Sequence, residues 1–175
     1  CEVYDVALSF LAEDETLASR LHELLSERLR VFLYSYEQRK LAGKDGEAVF
    51  NQVFGSETRV VVVLYRHGWG DTPWTRIEKT AIQNRAYEQG YDFVLLVPLD
   101  KPPSAPNWLP KNRIWIGLER WGIDGAAGVI EARVQESGGE LRPETAVVRA
   151  ARVDREMREN REKKAFFESP EGVRE

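Results

Sequence analysis

A run of apolar β-forming residues near the middle of the chain constrains the fold most. The segment 59–65 places Val60, Val61, Val62, Val63 and Leu64 in succession. A strand that is apolar on both faces has to be covered on both faces, which is typical of a parallel sheet with helices on either side. The segment therefore predicts an interior strand of an α/β protein.

Four other segments have the composition of strands, and they are separated mostly by stretches with helical periodicity. The predicted strands are 3–10, 30–36, 59–65, 93–99 and 113–118. This order predicts one parallel sheet with helices on both faces. With 175 residues, the chain suits a flavodoxin-like α/β fold with a five-stranded sheet.

The composition becomes strongly charged after Pro143, where Arg and Glu residues interleave. This pattern is typical of a solvated helix with ion pairs between successive turns. We therefore predict a domain at 1–138, followed at 139–175 by a charged C-terminal helix, which is either an extension or a linker to a missing domain. Since the chain begins with Cys, we expect it to be part of a longer protein.

Charge and composition argue against several classes of partner. The net charge of −4 does not favour a general polyanion binder, so we expect no nucleic acid partner for this region. No apolar stretch approaches the roughly 20 residues that span a bilayer. The single Cys excludes an internal disulfide and agrees with a reducing compartment, and we expect a cytoplasmic protein. No Cys/His cluster has zinc spacing, so we predict neither a metal nor another cofactor.

The segment after the central strand contains the strongest candidate for chemistry. Thr72 suits a helix N-cap and Pro73 suits the first helical position. Trp74 and Glu78 then lie one turn apart on the same face of the predicted helix. The sequence thus predicts an aromatic plane beside a carboxylate at the carboxyl end of a strand.

A lone carboxylate suits one kind of glycosidic bond better than others. Ordinary glycosides need a second carboxylate that protonates the leaving group. The nicotinamide–ribose bond of NAD does not, because its leaving ring is already cationic and departs neutral. Glu78 could stabilise the resulting ribose cation, and Trp74 could stack on a flat ring.

The segment 37–46 is polar and contains Gly43 and Gly46. We predict a loop here, and two interpretations stay open. It is either an ordinary surface loop or a flexible flap that covers a site or contacts another copy.

Several of these segments together resemble a bacterial TIR domain. They are residues 4–10, residues 43–45, the valine-rich strand and the Trp74-x-x-x-Glu78 pair, and the similarity covers about residues 3 to 135. The resemblance implies a flavodoxin-like fold, self-association or filament formation, and NAD cleavage used in antiphage defence. The first loop departs from the common tyrosine-then-basic pattern.

The resemblance also implies roles for individual residues. The catalytic glutamate of the family falls on Glu78 and its helix tryptophan on Trp74. Its substrate-lining loops fall on Phe10, Leu11 and the stretch from Tyr36 to Lys44. We therefore expect an NAD glycohydrolase or cyclase that is activated by assembly and controlled by a sensor domain outside this chain.

Two other functions remain open at this point. The first is a TIR-like interaction module without catalysis, which would use 37–46 and the helix faces for homotypic contacts. The second is a nucleoside-processing enzyme of related fold. Retention of Glu78 favours NAD cleavage, because a scaffold has no need of that carboxylate.

Overall fold

The computed structural model describes residues 2–110 and 115–168, apart from the side chains at 37, 40–44, 163 and 166–168. Strands and helices alternate along the first part of this range, as the sequence predicts. In chain order the elements are β1 (Tyr4–Ser9), α1 (Glu15–Ser26), β2 (Val31–Phe32), α2 (Tyr36–Gln52), β3 (Thr58–Tyr65), α3 (Pro73–Gln89), β4 (Val94–Pro98), α4 (Leu118–Glu136) and α5 (Ala146–Glu168).

The four strands form one parallel sheet in the order β2-β1-β3-β4. β3 lies inside the sheet, where Val60 is paired with Val6 of β1 and Val63 with Leu96 of β4. The interior position predicted for this strand from its valine run is confirmed.

Successive residues of β3 point to opposite faces, so the strand contributes to two separate cores. Val60, Val62 and Leu64 pack with residues of α1 and α4 on one face. Val61 and Val63 pack with residues of α2 and α3 on the other. The unbroken apolar run is therefore explained by helices that cover both faces of the sheet.

The predicted five-stranded sheet is wrong in its strand count. The described residues form a four-stranded sheet, and the fifth segment contributes only an isolated parallel bridge between Trp115 and Leu96. Gly117 is already the N-cap of α4, so the chain turns into a helix before a strand can extend. Residues 113 and 114 of the predicted strand 113–118 lie outside the described part of the chain.

The predicted loop at 37–46 is also wrong, because these residues form the first part of α2. Ser35 and Gln38 make a capping box: the Ser35 hydroxyl accepts from the Gln38 backbone N–H, and the Gln38 side chain accepts from the Ser35 backbone N–H. This arrangement satisfies amide donors at the helix start. Gly43 and Gly46 are tolerated within the helix at a cost of about 1 kcal/mol each.

The described residues divide into two compact units, of which the first ends at Leu141 and the second begins at Arg142. The second unit contains α5, where Arg152 pairs with Glu144 and with Glu156 one turn later. None of the described helices is long and apolar enough to cross a membrane.

The central strand provides a direct test of this packing. Leu64 is completely buried at the carboxyl end of β3. We expect Leu64→Ala to lower the free energy of unfolding by about 2–5 kcal/mol, because the smaller alanine side chain leaves a cavity in the core that the surrounding residues fill only in part. Urea denaturation followed by circular dichroism measures the loss.

Tyr87→Ala is the control, because Tyr87 is 93% exposed on α3 and should change stability by less than about 0.5 kcal/mol. Equal effects of the two substitutions would contradict the assignment of Leu64 to the core.

Candidate active site

The candidate site lies at the carboxyl edge of the sheet, between β1 and β3. The chain runs from β1 outward to β2 and then returns to place β3 on the other side of β1. Such a reversal leaves a crevice at the strand ends, where ligands bind in open α/β sheets. Arg66, just after β3, makes a two-point ion pair with the nearly buried Asp14, which follows β1, and this pair holds the two rims together.

The turn after β3 fixes where α3 begins. Gly68 and Gly70 adopt positive φ angles of 97° and 91°, which side chains other than glycine rarely adopt. The Gly70 backbone N–H donates to the buried Thr75 hydroxyl at 3.0 Å. Thr72 caps the helix by accepting from the Thr75 backbone N–H, and Pro73 is its first residue, as the sequence predicts. The next turn of α3 therefore lies directly beside the sheet.

This placement buries Glu78 completely. Its Oε2 accepts a short hydrogen bond from the Ser9 hydroxyl at the end of β1. Its Oε1 lies 2.9 Å from a guanidinium nitrogen of Arg39, which is also fully buried. The contact is an ion pair without well-aligned hydrogen bonds, since neither atom has a hydrogen-bond partner among the described residues.

Burial raises the pKa of Glu78 from an ordinary value of 4.5 to about 7. Loss of hydration is the largest cause, because it penalises the charged form. The positive charge of Arg39 and the hydrogen bond from Ser9 oppose this rise. Near neutral pH the carboxyl group is thus balanced between its neutral and ionised forms.

The Arg39 guanidinium lies in a cage of three aromatic rings. Its central carbon is 5.0 Å from the ring centre of Phe10, 4.6 Å from that of Tyr36 and 5.0 Å from that of Phe50. Each ring is close enough for a cation–π contact. The Arg39 Nε also donates to the Tyr34 carbonyl at 3.0 Å. The aromatic cage of Phe10, Tyr36 and Phe50, with Glu78 at one side, therefore holds a flat cation.

The structure brings some of the residues expected at the site together. Phe10 and Tyr36 belong to the aromatic cage, and the Tyr36 hydroxyl donates to the Phe10 carbonyl at 3.2 Å. Trp74 reaches the cage from outside, edge to face with Phe50 at 5.3 Å. Leu11 is buried in the core between the sheet and helices α2 and α3. The Lys44 side chain lies outside the described residues.

The sequence analysis did not single out Ser9, Arg39 and Phe50, nor Trp69, whose indole N–H donates to the Ser9 hydroxyl. Ser9 had a visible signal, since it is a polar residue within an apolar strand, and Trp69 stands between two glycines. Arg39 lies within the stretch 36–44 that the resemblance assigns to a substrate-lining loop, but no pattern in the sequence distinguished it from its neighbours.

The arrangement holds a planar cation and places a carboxylate against it in a fully buried site. A charge in such a pocket acts strongly, since little solvent screens it. Groups of three or more potential metal ligands are absent from the part of the chain that the structure describes.

The buried ion pair predicts a coupling between Arg39 and Glu78. Removal of one partner leaves the other charge buried and unpaired, whereas removal of both leaves a neutral site. In a double-mutant cycle of Arg39→Met and Glu78→Gln, we expect the double variant to be more stable than the two single losses imply, by about 1–3 kcal/mol. Urea denaturation at pH 8 measures the cycle, and additivity within about 0.5 kcal/mol would contradict it.

The contribution of Glu78 to the free energy of unfolding also depends on pH, and the raised pKa determines the direction of that dependence. The pKa of Glu78 is higher in the folded protein than its ordinary value, so the folded state holds a proton that the unfolded chain has released. The contribution of this group to stability therefore falls as pH rises from about 4.5 to about 7. In Arg39→Met the loss of stability should continue to higher pH, because the pKa of Glu78 rises further without the Arg39 charge. In Glu78→Gln this loss of stability should be absent.

Comparison with known proteins finds a distant relative of this chain. No family model matches the sequence. The chain is 26% identical over 134 residues to the 3' cyclic ADP-D-ribose synthase AaTIR of Aquimarina amphilecti. The alignment covers 76% of this chain but 40% of the relative, so the chain spans well under half of that protein. The chain is thus similar to a TIR protein that synthesises a cyclic ADP-ribose.

Proposed function

We propose that this chain cleaves the nicotinamide–ribose bond of NAD and that Glu78 is the catalytic carboxylate. The observation that carries the proposal is the flat Arg39 cation, enclosed by three aromatic rings and paired with the buried Glu78. The nicotinamide ring of NAD is also flat and cationic, so the same cage and carboxylate suit it. The similarity to a cyclic ADP-ribose synthase adds support, because a cyclic ADP-ribose is NAD that has lost nicotinamide.

The proposed reaction needs no proton donor and no cofactor. The bond between the ribose C1 and the ring nitrogen breaks, its electron pair stays on nitrogen, and nicotinamide leaves neutral. The negative charge of Glu78 stabilises the ribose cation that remains. Water captures that cation to give ADP-ribose, or a hydroxyl of the same molecule captures it to give a cyclic product, and either capture releases one proton.

The substrate-binding residues in this proposal are Phe10, Leu11, Tyr36, Lys44 and Trp74. Phe10 and Tyr36 would enclose the nicotinamide ring once the guanidinium has left. Trp74 would extend the aromatic surface outward, since it already packs against Phe50.

We expect Glu78→Gln to reduce nicotinamide release from NAD by about 100- to 1,000-fold, the range for loss of one preorganised charge-stabilising group. Glu88→Gln is the matched control, because Glu88 is an exposed glutamate of the same helix. Chromatographic quantification of nicotinamide over time provides the measurement.

Because Glu78→Gln leaves Arg39 without its ionic partner, the comparison is repeated in an Arg39→Met background at matched folded fraction. Equal release by the Glu78 and Glu88 variants in both backgrounds would show that Glu78 is not catalytic. No release by the assembled wild-type protein would instead favour the alternative function, a TIR interaction module. In that case the Arg39–Glu78 pair has only a structural role.

We further propose that the described state is a resting state and that self-association opens it. Arg39 fills the aromatic cage, so NAD can enter only if the guanidinium leaves. Arg39 lies in the first turn of α2, and a contact between copies that displaces this turn would withdraw it. A sensor domain outside this chain would control assembly, which suits a cytoplasmic antiphage response.

This proposal predicts that specific activity rises with protein concentration in the wild type. At an alkaline pH, at which Glu78 is ionised even without the Arg39 charge, Arg39→Met should have higher activity at low concentration and a weaker concentration dependence, because its cage is no longer blocked by a charge. Initial rates over a wide dilution series, with the molar mass measured by light scattering, test this. Flat specific activity in the wild type, or lower activity in Arg39→Met at every concentration, would contradict it.

A further inference from the structure

Glu78 has a second partner that does not block the pocket. We infer that Trp69 and Ser9 form a hydrogen-bonded relay that holds the Glu78 carboxylate in its reactive orientation, which makes both of them positioning residues. The Trp69 indole Nε1 donates to the Ser9 hydroxyl oxygen at 3.0 Å, and the Ser9 hydroxyl donates to Glu78 Oε2. This inference rests on the proposed function only for its effect on catalysis.

The direction of the relay follows from the donor chemistry of its members. An indole N–H can donate but cannot accept, so the Ser9 oxygen must accept from Trp69. The Ser9 proton is then free for the carboxylate, which is the acceptor within reach. The Ser9 hydroxyl thus presents a donor to Glu78 Oε2, and both the Trp69 Nε1 and the Ser9 Oγ have hydrogen-bond partners.

Rigid elements hold the relay in place. Ser9 is fully buried at the end of β1 and pairs in register with Val63 of β3. The Trp69 ring packs against Tyr65 at 6.1 Å and Trp108 at 6.1 Å. When a substrate cation replaces Arg39 on α2, Ser9 can keep its contact with Oε2, because β1 does not need to move.

The relay also favours the ionised form of Glu78. A carboxylate oxygen is a stronger acceptor than the oxygen of a protonated carboxyl group, so protonation of Glu78 would weaken the hydrogen bond from the Ser9 hydroxyl. The other described titratable groups that act on Glu78 are Arg39 and Tyr36, both on α2. Removal of the Ser9 hydroxyl should therefore raise the pKa of Glu78 further.

The sheet contains a buried hydroxyl that serves as a matched control. Thr58, at the amino end of β3, is fully buried, and its hydroxyl has no hydrogen-bond partner among the described residues. The fold therefore tolerates a buried hydroxyl that no described residue pairs with. Thr58→Val removes that hydroxyl at nearly constant shape and is far from the carboxyl edge, so it should leave NAD cleavage unchanged.

The first experiment measures kcat/KM for NAD from pH 5 to pH 9 in the wild type, Ser9→Ala, Trp69→Phe and Thr58→Val. In Ser9→Ala we expect the acid midpoint of the kcat/KM profile to move to higher pH by about one unit, with activity recovering at high pH. Trp69→Phe should move it in the same direction by less, and Thr58→Val should not move it. An equal loss at every pH, or an unchanged acid midpoint in Ser9→Ala, would overturn the relay.

The second experiment is independent of activity. The Glu78 carboxyl carbon is labelled with ¹³C and titrated by NMR in the wild type and in Ser9→Ala, with assignment from Glu78→Gln. A higher midpoint in Ser9→Ala supports the relay even if the wild type does not cleave NAD, which would reject the proposed function alone. Equal midpoints reject the relay even if NAD cleavage is established.

Discussion

The removal of one carboxylate from water is the physical constraint on which the site depends. Glu78 lies in a helix that packs on a parallel sheet, at a depth where hydration is lost. A carboxylate at such a depth either takes a proton or finds compensating partners. The protein supplies two partners of different kinds, the Arg39 cation and the neutral hydroxyl donor of Ser9. The resulting pKa of about 7 reflects a balance between burial and these partners.

The two partners come from elements with different freedom to move. Ser9 belongs to a strand that is paired on both sides, whereas Arg39 is at the start of a helix whose first residues are held by a capping box. Under the proposed function, the cation at Glu78 is exchanged for the substrate while Ser9 keeps the carboxylate oriented.

The aromatic cage connects this electrostatic balance to the packing of the core. Phe10 belongs to the core on one side of the sheet, and Phe50 to the core on the other. The cage therefore spans the carboxyl edge, where the two cores meet. Its rings stabilise a cation without a formal negative charge, and Glu78 supplies the single charge that a ribose cation would need.

The sequence by itself determined the elements whose pattern is local. The valine run is enough to make β3 an interior strand, and Thr72 with Pro73 is enough to start α3, so local pattern alone makes Glu78 a candidate. The tertiary structure alone decided that Ser9 and Arg39 contact Glu78 and that Trp69 contacts Ser9. Ser9 lies 69 positions from Glu78 in the chain, and the contact exists because the parallel register brings the ends of β1 and β3 to one edge. No local periodicity contains that information, since it depends on which strands become neighbours.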